Sequence, residues 1–280
     1  HGLELLEIAK EKEINYLFEA SCGGGIPIIR PLNSSLTADE IDEISGILNG
    51  TTNYILSKMQ AENADFEEVL KEAQQKGYAE RNPEADVEGY DACRKIAILS
   101  SLAYGCHVNY EDIYTEGITK ITVEDVKYAS AMDMSIKLLA TSKKAGDRFY
   151  AMVSPVLVGK DSPLYSVNDV FNAIFVHGNV LGDAMFYGSG AGKLPTASAV
   201  VADVVDCAKH LHRNIMMNWS SKKLDLMDIK EVVHPFFVRM KGNAASDGAA
   251  AEEVFGKVKM ISIPDTEGEF AFITEPMSES

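Results

Sequence analysis

The sequence predicts an α+β protein: a mixed or largely antiparallel sheet covered by helices, with a small βαββ unit at its C-terminal end. Three observations carry this reading. Capped stretches with helical apolar spacing fill much of residues 52–104. Two strand-like runs, Ser135–Lys143 and Arg148–Val158, flank Ala145-Gly146-Asp147 and suggest a hairpin. Beyond Trp219 the composition changes, and strand, Ala-rich helix, strand and strand follow in that order. A chain of 280 residues with 46% hydrophobic content can bury a sizeable core and exceeds the usual size of one compact domain. The expected organisation is a body over 1–218, a linker over 219–231 and a small unit over 232–280.

Taken in order, Leu3, Leu5, Leu6 and Ile8 space a helix over residues 2–12, and Ile14–Ala20 reads as a strand running into Gly23, Gly24 and Gly25. Residues 37–50 begin like a helix cap (TADE) but continue with strand character, so a strand ending at Asn49-Gly50 is expected. Helices follow over 52–62 and 65–76, the second with Asp65 and Glu68 as a capping pair and Gly77 as its stop. Asp86 can cap a helix over Val87–Tyr104, closed by Gly105 and apolar nearly all round, hence buried. GSGAGKLPT precedes a small-residue helix over Pro195–Leu211, and Ser220–Asp228 reads as polar linker. The tail offers strands over His234–Lys241, Val258–Ile263 and Glu269–Thr274, and a helix over Asp247–Phe255.

Composition removes several classes of function. A net charge of −16 disfavours nucleic acid and anionic membrane surfaces, which need a cationic footprint. No run approaches the roughly 18 apolar residues of a membrane span, and the charged amphipathic start is unlike a signal peptide. A soluble cytoplasmic protein that handles small solutes is expected. The four cysteines, Cys22, Cys93, Cys106 and Cys207, are widely spaced and read as reduced, mostly buried thiols. His210 and His212 lie two apart on the expected helix and point away from each other, which disfavours a shared metal.

Four segments carry chemistry. GYAERNPEADVEGYDACRK (77–95) groups Glu80, Asp86, Asp91 and Lys95, and the spacing of four puts Asp91 and Lys95 on one helical face. A lysine near the start of a buried helix sits at the positive end of the macrodipole, so stability alone does not ask for it there. The pair serves either as an ordinary helical ion pair or in a functional role. SCGGGIPII (21–29) offers amides and close backbone approach, or simply a tight turn. ILNGTTNYIL (47–56) places Asn49, Gly50, Thr51 and Thr52 at a helix start, suited to a carboxylate or phosphate and equally to plain capping. GSGAGKLPT (188–196) fails the P-loop pattern at Tyr187 and Leu194, yet remains a glycine-rich loop feeding a helix.

Taken together, EASCGGGIPIIRPL, ILNGTTNYIL, GYAERNPEADVEGYDACRKIAIL, YTEGITKIT and GAGKLPTASAVVADVVD resemble the homoserine dehydrogenase family in order and spacing, from about residue 1 to 215. The resemblance implies an NAD(P)-dependent oxidoreductase interconverting L-homoserine and L-aspartate 4-semialdehyde, in threonine, methionine and isoleucine biosynthesis. It implies Lys95 as proton donor with Asp91 beside it. Glu80, Asp86, Asp91, Gly50 and Thr51 would hold the amino-acid substrate, and Gly77, Glu80, Gly190 and Gly192 would lie against NADP or NAD. Oxygens of Glu19, Cys22, Gly24 and Ile26, mainly backbone carbonyls, would bind a monovalent cation, Na+ or K+. Cys22 stands where most members have Val or a similar residue, a change a backbone ligand would tolerate. A homodimer is implied as well. Members begin with a Rossmann domain carrying GxGxxG, a pattern this sequence lacks, so the chain is expected to be part of a longer protein, with His1 where that domain would end. The tail (HPFFVRMKG, then GEFAFITEPMSE) resembles an ACT regulatory domain that stops before its last helix and lacks the DxxG turn; a threonine effector is implied. The rival reading is an amino-acid-sensing or dimerisation module without catalysis of its own.

Overall fold

The computed structural model describes residues 1–264 and 266–279. Helix α1 (Gly2–Glu11) is followed by an irregular segment with a 3-10 turn at Glu19–Ser21, not by a strand. The branched and aromatic residues there pair in no ladder, and the segment is tied to residues 214–215 instead: Asn214 Nδ2 donates to Ile14 O at 2.7 Å, and Ile215 N donates to Asn15 Oδ1 at 2.8 Å.

Strand β1 (Ile41–Ile47) leads through Asn49 into α2 (Gly50–Glu62), and α3 (Phe66–Gln75) begins at its Asp65 cap, both helices falling where their caps place them. The expected helix over 87–104 divides. A short α4 (Glu84–Val87) ends at Gly89, whose φ of +81° turns the chain, and α5 runs over Tyr90–Tyr104 to Gly105. Asp86 therefore caps nothing and is free for another use. Then come β2 (Gly105–His107), β3 (Tyr114–Thr115), α6 (Val123–Ala131), the long hairpin β4 (Met134–Ala145) and β5 (Arg148–Gly159), and a second hairpin, β6 (Phe171–Gly178) and β7 (Gly182–Ser189). Helix α7 spans Lys193–Lys209 and stops short of His210 and His212, which lie beyond its last turn. Strand β8 (Trp219–Lys223) runs through the segment expected as linker and pairs in parallel with β2. The tail forms β9 (Phe237–Lys241), α8 (Ala244–Phe255), β10 (Val258–Ile261) and β11 (Glu269–Thr274), the βαββ order expected.

The main sheet has the order β3-β5-β4-β1-β6-β7, antiparallel except for β3 against β5. Its alternation sends Ile44, Ala140, Val153, Ile174 and Val176 into one core with Ile55, Leu56 and Met59 of α2 and Ile96 and Leu99 of α5. On the opposite face the register aligns Met152, Thr141, Ser45, Phe175 and Met185 in a row across five strands. Residues 160–170 cover only one corner of that face, through Leu164 and Val167. In the tail, β11 turns Phe270 and Phe272 toward α8 and Ala271 toward Tyr128 of α6, so its sheet lies between two helices. Arg239 fastens it to the body by donating to Thr122 Oγ1 at 2.7 Å and pairing with Asp125 at 3.0 Å.

Lys137 is fully buried in this sheet, and its ammonium donates to Val167 O at 2.5 Å and Asn168 Oδ1 at 2.9 Å. Desolvation lowers it to about 8, and the charge of Asp169 offsets this in part. A lysine depressed in the folded state leaves the unfolded chain holding more protons above that value, so stability rises with pH there. We expect a gain of about 1 kcal/mol between pH 8 and 9 in urea unfolding, absent in Lys137→Met. Above pH 9 the buried Cys22 thiol, pushed up to about 12 by desolvation, acts in the opposite sense. A flat wild-type profile between pH 8 and 9 would exclude the effect.

Candidate active site

The end of β1 and the starts of α2 and α5 meet at Asn49. Its Oδ1 caps α2 by accepting from Thr52 N at 2.9 Å, and its Nδ2 donates to Asp86 Oδ1 at 2.7 Å and to Asp91 Oδ2 at 3.0 Å. One amide thus holds two carboxylates side by side. Lys95 answers from the next turn of α5, with Nζ 2.6 Å from Asp91 Oδ2 and donating to Leu48 O at 3.0 Å. Asp91 in the first turn of α5 offsets the macrodipole that would otherwise disfavour Lys95. Burial raises Asp86 above the ordinary carboxylate range, and the Asp91 charge adds to the rise, while the bond from Asn49 and the charge of Lys95 oppose it. The side chains of Lys95 and Asp91 remain 20% and 32% exposed, so the pair faces outward and is not sealed in the core.

The turn after α3 brings Gly77 and Glu80 to the same place. Thr51 Oγ1 donates to Tyr78 O at 2.7 Å, Gln74 Nε2 donates to Glu80 O at 3.0 Å, and the Tyr54 and Tyr78 rings meet edge to face at 5.0 Å. Glu72 anchors the turn by binding Lys58, Lys76 and the Tyr54 hydroxyl; the lysine bonds hold it down at about 2. Glu80 is exposed, yet close enough for its charge to add to the rise at Asp86. Gly77 has φ +75° and open space where a side chain would begin.

The glycine loops form a second group against this one. A Cβ on Gly24 would stand 2.2 Å from Gly190 O, and one on Gly25 would stand 2.6 Å from Pro195 Cβ, so the 23–25 turn and the loop before α7 are in backbone contact. Gly192 is the N-cap of α7, at φ +119°. Cys22 links the groups, its thiol 3.8 Å from Lys95 O. The carboxylate of Glu19 is spent, accepting from Ile28, Ile29 and Arg30 N at 2.6–2.8 Å. The sequence places Asn49 at a helix start, but an asparagine there looks like a cap and gives no sign that its amide holds Asp86 and Asp91, and Leu48 O is not singled out at all. A cavity of about 760 Å³ lies apart, between α1, Arg94 and Trp219, and takes in none of the acid cluster.

A family model described as homoserine dehydrogenase matches residues 27–205, which includes Lys95, Asp91, Asp86 and the Gly188–Gly192 loop with most of α7. The chain belongs to the homoserine dehydrogenase family. It is 53% identical over 210 residues to homoserine dehydrogenase of Synechocystis sp., covering 74% of this chain and 48% of that protein. It is 44% identical over 218 residues to homoserine dehydrogenase of Bacillus subtilis, covering 78% and 50%. The chain thus spans about half the length of the curated relatives it matches. Among solved structures, a homoserine dehydrogenase from Thiobacillus denitrificans superposes with TM-score 0.89 at 35% identity, over 99% of this chain and 67% of that one. A hyperthermophilic archaeal homoserine dehydrogenase in complex with NADPH gives 0.64 at 29% identity, over 74% and 60%.

Proposed function

We propose that this chain carries the substrate-holding and proton-donating part of an NAD(P)-dependent dehydrogenase that interconverts L-homoserine and L-aspartate 4-semialdehyde. The observation that carries the reading is the Asp86–Asn49–Asp91–Lys95 chain of contacts, a cation and two carboxylates fixed at an outward-facing helix start. Asp86 and Glu80 suit the substrate ammonium, and charge-assisted bonds orient as well as bind. The Thr51 hydroxyl is occupied by Tyr78 O, which leaves the backbone amides of Gly50 and Thr51, at a helix N-terminus, for the substrate carboxylate. Lys95 Nζ donates its proton to the aldehyde oxygen as negative charge develops there, and takes it back in the reverse direction; Asp91 keeps the ammonium aimed. Gly77 has open space where a side chain would begin and Gly192 meets nothing nearer than the Pro195 ring at 3.4 Å, so both bare backbone to a flat ring, and Gly190 and Gly192, with Gly77 and Glu80, would hold the nicotinamide end of NADP or NAD. Bound there, the cofactor supplies or accepts the hydride. With the Glu19 carboxylate already committed, backbone oxygens of Glu19, Cys22, Gly24 and Ile26 are what remains for Na+ or K+.

The reading extends to a cytoplasmic homodimer with a threonine-responsive tail over 232–280. The uncovered face of the main sheet supports the dimer: Met185 is 42% and Tyr187 53% exposed beside a half-buried Phe175. Phe175→Glu should convert dimer to monomer in light scattering, and a monomeric wild type would remove this part of the proposal. Threonine binding is read by calorimetry. The central claim is tested by following NADPH formation from L-homoserine and NADP+ with the full product of the gene. Absence of turnover with either NADP+ or NAD+ would overturn it.

A further inference from the structure

Asn172, the second residue of β6, is 1% exposed, and its Oδ1 is one of three buried side-chain atoms without a hydrogen-bond partner among the described residues. An apolar side chain at this position would avoid the standing cost of an unpaired acceptor, so fold stability does not explain the amide. Its surroundings do. A Cβ on Gly190 would stand 2.1 Å from both Asn172 Cγ and Nδ2, so the backbone of Gly190 lies flat on the face of the carboxamide. On the other side, a Cβ on Gly50 would stand 3.4 Å from Asn172 Oδ1 and 2.8 Å from Val170 O. Gly190 in turn supports Gly24. A planar carboxamide permits this stacking, whereas a branched aliphatic side chain of similar volume would lift the loop.

We propose that Asn172 is a positioning residue whose carboxamide is the floor between the Gly188–Gly192 loop and the first turn of α2. It thereby fixes how far the cofactor side of the site stands from the substrate side. The proposal rests on the dehydrogenase reading above. Neighbouring contacts hold the floor itself in place: Asn53 Nδ2 donates to Phe171 O at 3.0 Å, and Lys137 holds Val167 and Asn168 just upstream. Hydride transfer depends steeply on the separation of donor and acceptor carbons, and a displacement near 1 Å costs on the order of 100-fold.

The test has two arms. In Asn172→Ala, turnover should fall on the order of 100-fold, with substrate KM and the Kd for NADPH within about threefold. The deuterium isotope effect on kcat/KM with 4-deuterated NADPH should rise, because the hydride step alone has been slowed. Asn172→Ser replaces it if the alanine variant does not fold. In the second arm, Gly190→Ala should lower the thermal midpoint and turnover, and adding Asn172→Gly should restore a large part of the midpoint but not the turnover, since the new methyl then has the space the amide occupied while the carboxamide floor is gone. Wild-type turnover and an unchanged isotope effect in Asn172→Ala, or a double variant no more stable than Gly190→Ala, would overturn the proposal. A wild type that turns over alongside such results leaves the dehydrogenase reading standing. An inactive wild type defeats that reading, and the midpoints then decide the second arm by themselves.

Discussion

Lys95→Ala is expected to lower turnover by roughly 10³ to 10⁴ while leaving the KM for L-aspartate 4-semialdehyde within a few-fold. Nζ stands 2.6 Å from Asp91 and 3.0 Å from Leu48 O, and these two bonds place it without help from a substrate. On the proposed reading, the charge it would meet during reduction develops only as hydride arrives, so its contribution would belong to the transition state and not to binding. Lys95→Arg should not restore the rate. A guanidinium gives up a proton too reluctantly and is too long and planar to keep both contacts. The removed charge also leaves Asp86 and Asp91 facing each other across one amide, so a modest loss of stability is expected, and substrate binding by ammonium-holding groups should survive it. Steady-state and single-turnover kinetics on the full gene product check this. Unchanged turnover, or a loss confined to KM, would remove Lys95 from the proton-transfer role.

How much of this was legible beforehand depends on whether the signal was local. The starts of α2 and α3, the stop at Gly105 and the β4–β5 hairpin were readable because caps, left-handed glycines and turn residues act within a few positions of the chain. The pairing of Asp91 with Lys95 was readable for the same reason. Asp86 was misplaced as a cap because nothing within its own segment shows that Asn49, 37 residues away in sequence, would claim its carboxylate. Ile14–Ala20 has strand composition, but Ile14 O and the Asn15 side chain are claimed by Asn214 and Ile215, 200 residues away in sequence. The β6–β7 hairpin and α6 went unread, and with the hairpin went Asn172, whose place under Gly190 exists only once β6 and β7 pair. The segment over 219–223 is polar and exposed on most of its side chains, so no apolar alternation announced a strand.

Gly117→Ala is expected to destabilise the chain by about 3 kcal/mol and to reduce turnover at the same time. The YTEGITKIT segment has no side chain among the candidate site residues, yet a Cβ on Gly117 would stand 2.1 Å from Val87 O and 2.4 Å from Glu88 Cα. Both are backbone atoms, which cannot swing aside as a side-chain tip would. They form the corner between α4 and α5, fixed by Ile118 N donating to Val87 O at 2.7 Å and by Glu116 N donating to Val153 O at 2.8 Å. Asp86 lies just before that corner and Asp91 just after it, so a methyl at 117 must either break the Ile118 bond or move one carboxylate relative to the other. Gly146→Ala is the control. Its φ of +63° carries strain, but no atom lies within 4 Å of its Cβ position, and it sits in the β4–β5 turn away from the acids. That variant should cost only about 1 kcal/mol and leave kcat untouched. Urea unfolding of the two variants, with kcat measured on each, separates conformational strain from steric collision. Equal losses in both would show that the corner yields to the methyl and that its geometry is not what holds the two carboxylates in register.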